Sequence, residues 1–291
     1  MSPKVGFIGA GKVGTSLGKV FAERKVEVTG YFSRSIQSAK EAATFTNSRV
    51  YDTVGAVLKD SDVLFITVPD GAISDVYSAL PRELLSGKII CHSSGAMRAR
   101  DAFPCIEQAG AYGYSVHPLF AVSDRFTSWR EMMDVFFTIE GSEARLDDMM
   151  GWLTALGLHV AVIDGNKKAL YHAAAAIASN HVVALFAEAR DMLAECGFPP
   201  NEASAALLAL FLGNAHHIAE VGPEAALTGP VERGDDKTVA KHLSAITDAD
   251  DRVLYRLITR RLVRLAQSKH PDRDYTAIEN IINDEKDGTH S

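Results

Sequence analysis

This sequence predicts an α/β fold, a doubly wound and mostly parallel sheet followed by a second, all-α domain. Three observations carry that reading. A glycine-rich turn joins the first apolar segment to a helical one. Short apolar runs then alternate with helical patterns as far as residue 165, and beyond it every periodic segment is helical. The expected domains are therefore 1–165 and 166–291.

The turn comes first. Lys4-Val-Gly-Phe-Ile-Gly-Ala-Gly-Lys-Val-Gly-Thr reads as a short strand running into a helix, with glycines at Gly9, Gly11 and Gly14. This is the G-x-G-x-x-G spacing of a dinucleotide-binding turn. The first glycine permits the tight bend, the second lets backbone approach a pyrophosphate, and the third allows close helix–strand packing. Ala10, Lys12 and Val13 complete the expected cradle. The apolar pattern Val13, Leu17, Val20, Phe21 supplies the helix, whose free N–H groups and positive dipole end would face phosphates. A second strand, Val26–Phe32, ends in Ser33-Arg34-Ser35, roughly twenty residues past the glycines, where an NAD site usually places an acid. No acid occurs between Thr29 and Gln37. Arg34 can fork onto a 2′-phosphate, with hydroxyls from Ser33 and Ser35 beside it, so NADP is the expected cofactor.

Composition fits an enzyme with a real core. The chain has 291 residues, 47% of them apolar, and a net charge of −7, which argues against nucleic acid or an anionic membrane as a partner. The first strand begins by Lys4, which leaves no room for a signal peptide, and no apolar run is expected to approach membrane-spanning length. Cys91, Cys105 and Cys196 are widely spaced, form no disulfide or metal pattern, and suit a reducing cytosol.

Further along, a helix near Ile36–Thr44 precedes a short strand at Arg49–Tyr51. Asp62–Val68 and Lys88–His92 are near-continuous apolar runs of the buried parallel type. Tyr112–Val116, Val135–Glu140 and Leu158–Ile163 bring the total to about eight strands. Ligands are expected at the strands' carboxyl ends. The pattern changes at Asp164-Gly165. One long helix is expected from Asn166 to Cys196, a second over Asn201–Glu220 stopped by Gly222-Pro223, a third from about Asp236 and a fourth over Asp250–Ser268. Asn283–Ser291 is polar and expected to fray. The first helix is alanine-rich and apolar on most sides, so it should be buried in its own domain or against a second subunit. A homodimer through the helical part is expected.

The motifs resemble a family. Val5-Gly-Phe-Ile-Gly-Ala-Gly-Lys-Val-Gly, His92-Ser-Ser-Gly-Ala, Ser115-Val-His-Pro-Leu, Tyr171-His-Ala-Ala-Ala, Ala178-Ser-Asn and Ala226-Leu-Thr-Gly-Pro-Val-Glu-Arg-Gly-Asp are similar to the Rossmann-like oxidoreductases whose C-terminal half is classed only as a domain of unknown function. These are distant relatives of pyrroline-5-carboxylate reductase and of the 6-phosphogluconate and 3-hydroxyisobutyrate dehydrogenases. The resemblance spans nearly the whole chain. It implies NADP-type binding and a helical dimerisation domain, and it implies no substrate.

The chemistry rests on the candidate groups themselves. Val68-Pro69-Asp70 ends the fourth strand and should border the cofactor's ribose and pyrophosphate, or else form a plain proline turn. Ser94, after the fifth strand, could hold a substrate carboxylate or carbonyl oxygen. His117, after the sixth, reads equally as a substrate donor or general acid and as a structural histidine. Lys168, His172 and Ser179 fall within about 40° of one another on a helix. Lys168 or His172 could supply the proton that accompanies hydride transfer, each charge lowering the proton affinity of the other. The related dehydrogenases place an asparagine four residues after the lysine; here His172 stands in that position, and the glycine pattern before the lysine is incomplete. Arg233 could clamp a carboxylate, whereas Asp235 or Asp236 reads as a helix cap. His216 and His217 point about 100° apart and make a poor metal pair, and no dedicated metal site is expected. The expected function is NADP(H)-dependent reduction or oxidation of a small carbonyl, imine or alcohol metabolite. The alternatives are hydride exchange between NADP and a deazaflavin, and a non-catalytic NADP-binding regulator.

Overall fold

The computed structural model describes residues 2–284. The chain forms two compact units, Met1–Asn180 and His181–Ser291.

The first unit is built on an eight-stranded sheet: β1 (Val5–Ile8), β2 (Val28–Phe32), β3 (Arg49–Val50), β4 (Val63–Ile66), β5 (Ile89–His92), β6 (Tyr112–Pro118), β7 (Phe136–Gly141) and β8 (His159–Val162), in the order β3-β2-β1-β4-β5-β6-β7-β8. All neighbours run parallel except β6 and β7. The order reverses between β1 and β4, so the crevice outside their carboxyl ends is the switch point at which such sheets take ligands. The helices of this unit are α1 (Lys12–Glu23), α2 (Ile36–Thr46), α3 (Val54–Asp60), α4 (Ile73–Ser78), α5 (Ala99–Ala102), α6 (Trp129–Met132), α7 (Leu146–Ala155) and α8 (Lys168–Ala176). One apolar layer packs α1, α2 and α7 on the sheet around stacked Phe7, Tyr31 and Phe65. The other packs α3 and α4 against Leu64, Ile66 and Ile90. Near-continuous apolar strands are what burial on both faces requires.

β6 and β7 depart from that rule, since each has one apolar and one polar face. Tyr114, Val116, Phe137 and Ile139 enter the core, whereas Ser115, His117, Thr138 and Glu140 alternate with them on the opposite face. That polar stripe carries the site.

The helix expected to run unbroken from Asn166 to Cys196 is interrupted. A 3-10 turn, Gly165–Lys167, opens α8, a π-helical turn at Ile177–His181 follows it, and α9 (Val182–Glu195) continues. Ser179 lies within that wider turn, and its hydroxyl donates to the Ala175 carbonyl. Gly165–Glu195 make 31 residues of helix that contain an 18-residue window of mean hydropathy 1.3, long and apolar enough by length and composition alone to cross a membrane, contrary to the expectation. Lys168, only 1% exposed and hydrogen-bonded beside the sheet, commits the first turns to the first unit.

The second unit holds α9, α10 (Pro200–Ala226), α11 (Pro230–Arg233), α12 (Asp236–Ala245), α13 (Ala249–Lys269) and α14 (Thr276–Asn283). Gly222, at φ 82°, kinks α10 where a full stop was expected, and the helix resumes to Ala226. Asp235 caps α12 by accepting from the Thr238 N–H, as one of the two readings of the loop had it. Val231, Val239, Val263, Tyr275, Ile278 and Ile282 form its core. Asn283 closes a helix and does not begin a frayed tail; residues 285–291 lie outside the described residues. The burial expected for the first long helix is not found within one chain. No residue of α9 is buried, and Val183, Leu208, Leu210 and Ile218 stand exposed.

Candidate active site

Each glycine of the first turn does something different in the structure. Gly9 has φ 108°, and a Cβ there would lie 2.6 Å from the Thr67 backbone oxygen. A Cβ on Gly14 would lie 2.2 Å from Thr67 Oγ1. At Gly11 a Cβ would meet nothing within 4 Å, so the space above the turn is open. Gly11 is also the N-cap of α1 and offers no side-chain cap, which leaves the first-turn N–H groups facing that space. An open cradle at the positive end of a 12-residue helix fits a pyrophosphate. Past β2, Arg34 is exposed. Ser33 Oγ accepts from the Ser35 N–H and Ser35 Oγ from the Ser38 N–H. Both hydroxyl protons are thereby left to donate, so this corner fits a phosphate.

On the same rim the loops after β4, β5 and β6 meet. Ser94 Oγ donates to Asp70 Oδ2 at 2.6 Å and accepts from the Ala96 and Met97 N–H groups, so two residues expected in separate roles form one bonded pair. Pro69 precedes a 3-10 turn at Asp70–Ala72, and Val68 is half-buried behind it. His117 Nδ1 shares a 2.7 Å hydrogen bond with the Tyr171 hydroxyl of α8. His117 and His172 converge on Gly95: a Cβ there would sit 2.9 Å from His117 Nε2 and 2.4 Å from His172 Cδ2. His172 itself is exposed.

Lys168 lies beneath this surface. Its Nζ donates to Ser115 Oγ at 2.6 Å and stands 3.9 Å from Glu140 Oε1. Burial lowers the Lys168 ammonium to about 8, with the charges of Glu140 and Asp70 acting against the fall. Burial likewise lowers His117 to about 4, helped by the charges of Lys168 and His172, so its imidazole is neutral near pH 7. His92, fully buried at the end of β5, is lowered to about 3 by burial and then by Lys168 and His117. Its Nδ1 accepts from the Ser94 N–H, which puts the proton on Nε2. The expected mutual effect of Lys168 and His172 is thus displaced. The lysine is depressed by burial, where the charge of His172 was expected to act, and the charge of Lys168 falls on His117.

The structure brings Ser94, His117, Lys168 and His172 to the carboxyl ends of β4–β6, beside Asp70. Ser115 and Tyr171 stood in the sequence only as parts of family motifs, and Glu140 only as a strand end, none of them with a role. Their signal was available in part, since Ser115 and Glu140 are polar at alternate positions of otherwise apolar strands. A cavity of about 790 Å³ lies apart from the glycine turn, between α5, Gly113, Ser142 and Asn166, and it borders the cluster through Glu140.

Residues 2–118 match a Rossmann-like domain, and residues 135–262 match DUF2520, a domain of unknown function. No curated protein matches the chain. Among solved structures, protein TM1727 from Thermotoga maritima is 29% identical, with TM-score 0.72 over 91% of this chain and 99% of that one. A reductive aminase from Aspergillus terreus, in complex with NADPH and ethyl-5-oxohexanoate, is 17% identical, with TM-score 0.65 over 96% and 99%. An imine reductase from Myxococcus stipitatus, in complex with NADP+, is 16% identical, with TM-score 0.63 over 96% and 100%. At such identities the last two speak for the fold. The DUF2520 match begins inside the sheet, just before Glu140, and takes in Lys168, Tyr171 and His172. The chain is thus a Rossmann-like protein carrying a DUF2520 domain, the combination its motifs resemble.

Proposed function

We propose that this protein is an NADP(H)-dependent oxidoreductase that reduces a small carbonyl or imine metabolite, or oxidises the corresponding alcohol or amine. The observation that carries the reading is the pairing of the open cradle over Gly11 with the Asp70, Ser94, His117 and His172 cluster on the same rim. Bound NADPH would supply the hydride. Solved neighbours named for reductive amination and imine reduction make a C=N acceptor as fitting as a C=O acceptor.

The chain's own groups would then handle the proton. Hydride arriving at carbon leaves the substrate oxygen or nitrogen needing one, and Lys168 or His172 holds it. An ammonium lowered to about 8 sits close to the pH at which proton donation is efficient. Neutral His117, fixed by Tyr171, and Ser94, fixed by Asp70, position the substrate by hydrogen bonds. The free cysteines (Cys91 buried, Cys105 and Cys196 exposed) suit action in a reducing cytosol.

The test begins with a substrate screen over keto acids, imines and alcohols at the nicotinamide band. Lys168→Ala or His172→Ala should then lower turnover about 10²–10⁴-fold while leaving NADPH affinity nearly unchanged. If Lys168 is the donor, reductive turnover falls as pH rises through about 8, because the free amine has no proton to give. Full turnover in both variants would refute the assignment. Tight NADPH binding with no turnover on any substrate would favour a regulatory role.

A further inference from the structure

We propose that Glu140 is the positioning residue that keeps Lys168 protonated and directed at Ser115, an inference that rests on the reading of Lys168 as a proton donor. β6 and β7 pair antiparallel with Ser115 directly opposite Glu140, so both side chains stand on one face of the ladder. Lys168 comes down on that pair from α8. Its Nζ makes a 2.6 Å hydrogen bond to the serine and lies 3.9 Å from the carboxylate. The side chains of Lys168 and Glu140 are only 1% and 8% exposed. A buried ammonium whose bonded neighbour is a neutral hydroxyl would tend to shed its proton, and the hydroxyl cannot offset that charge.

The carboxylate is itself held in place. Glu140 Oε1 accepts from the Ala99 N–H at 2.8 Å, and a Cβ on Gly165 would lie 2.8 Å from Oε2. Glycine at the turn into α8 therefore leaves the acid its room. The charged and titratable groups around the pair are few. Asp70 adds its negative charge to that of Glu140 at Lys168. The charge of Lys168 also reaches His92 and His117 and helps hold both neutral. Asp101 and Arg98 act on Glu140 in opposite senses. Burial pushes the lysine down and the acid up, and each partner resists the shift of the other. Of the two acids that favour the charged lysine, Glu140 acts more strongly, and it is the one buried beside Nζ.

The full-length protein, labelled with ¹³C-lysine, reports the Lys168 ε-carbon by NMR, with the signal assigned by its loss in Lys168→Met. Glu140→Gln preserves shape and the bond from Ala99, and should lower the titration midpoint of Lys168 by about one pH unit or more. Glu140→Asp keeps the charge and should stay nearer the native midpoint. An unmoved midpoint in the glutamine variant overturns the proposal, as does an aspartate variant that falls equally far. Should the glutamine variant not fold, the same coupling is read from the other partner. In Lys168→Met the ¹³C-carboxyl signal of Glu140 must titrate at higher pH than in the native protein, and no change there is equally decisive. With a substrate in hand, the alkaline limb of turnover should move with the NMR midpoint. A midpoint that shifts as expected, in a protein whose Lys168→Ala variant keeps full turnover, removes the donor reading and leaves the pairing intact.

Discussion

Arg34 shows how far single residues can be read. It stands exposed just past β2, between two serines whose oxygens already accept backbone N–H groups. A guanidinium that reaches a 2′-phosphate there makes a charge-assisted contact. Arg34→Ala should accordingly weaken NADPH by about 1.5–3 kcal/mol and leave NADH nearly unchanged, as fluorescence titration would show. Equal affinities of the native protein for the two nucleotides would dispose of that role. The glycine turn was legible because the job of each glycine is decided within a few residues of chain. The bond between Ser94 and Asp70 was not, since it joins positions 24 apart, and that between Lys168 and Ser115 spans 53. Chemistry-bearing residue types could be picked out, whereas their partners are a product of the strand order.

At the scale of elements, the loop after β5 and the start of α8 fit together through the absence of a side chain. Both imidazoles, His117 and His172, crowd the place where a Cβ on Gly95 would go. Gly95→Ala should push them apart and cut turnover while leaving NADPH affinity close to native. Its stability cost should be about 1–3 kcal/mol in urea titrations, the range of an overpacked site. Native turnover in that variant would show that the two rings have no part in placing the substrate. The strands, α1, α2 and the long helices past residue 165 were readable from apolar runs and stop signals, whereas α3–α7 and α11 were not singled out. The π-helical turn at Ile177–His181 was not, because alanine, serine and asparagine there carry no signal that separates it from an α-helix. α14 was missed for a different reason: Ile278, Ile281 and Ile282 are helically spaced, but the acidic and polar residues just beyond them masked the short pattern.

For the molecule as a whole, the unburied apolar helices are the strongest statement about assembly. Leu210 of α10 is 72% exposed and Val183 of α9 is 69% exposed. A second copy of the chain is the proposed cover. Sedimentation velocity at micromolar concentration should show a dimer, and the midpoint of thermal unfolding should rise with protein concentration. A stable monomer under those conditions would contradict it. The antiparallel step between β6 and β7 has a consequence of its own, which is one of parity. A single reversal sends β7, and β8 parallel to it, toward the rim opposite the glycine turn. The chain therefore has to travel back up the sheet, and α8 is that return journey: Lys168 meets Ser115 in mid-strand, and three residues later Tyr171 meets His117 near the strand's end. With no reversal, or with two, β8 would finish at the upper rim and the following helix would set off away from the reactive groups. One reversal thus delivers an ammonium, a phenol and an imidazole to the same strand and its rim, all from little more than one turn of α8.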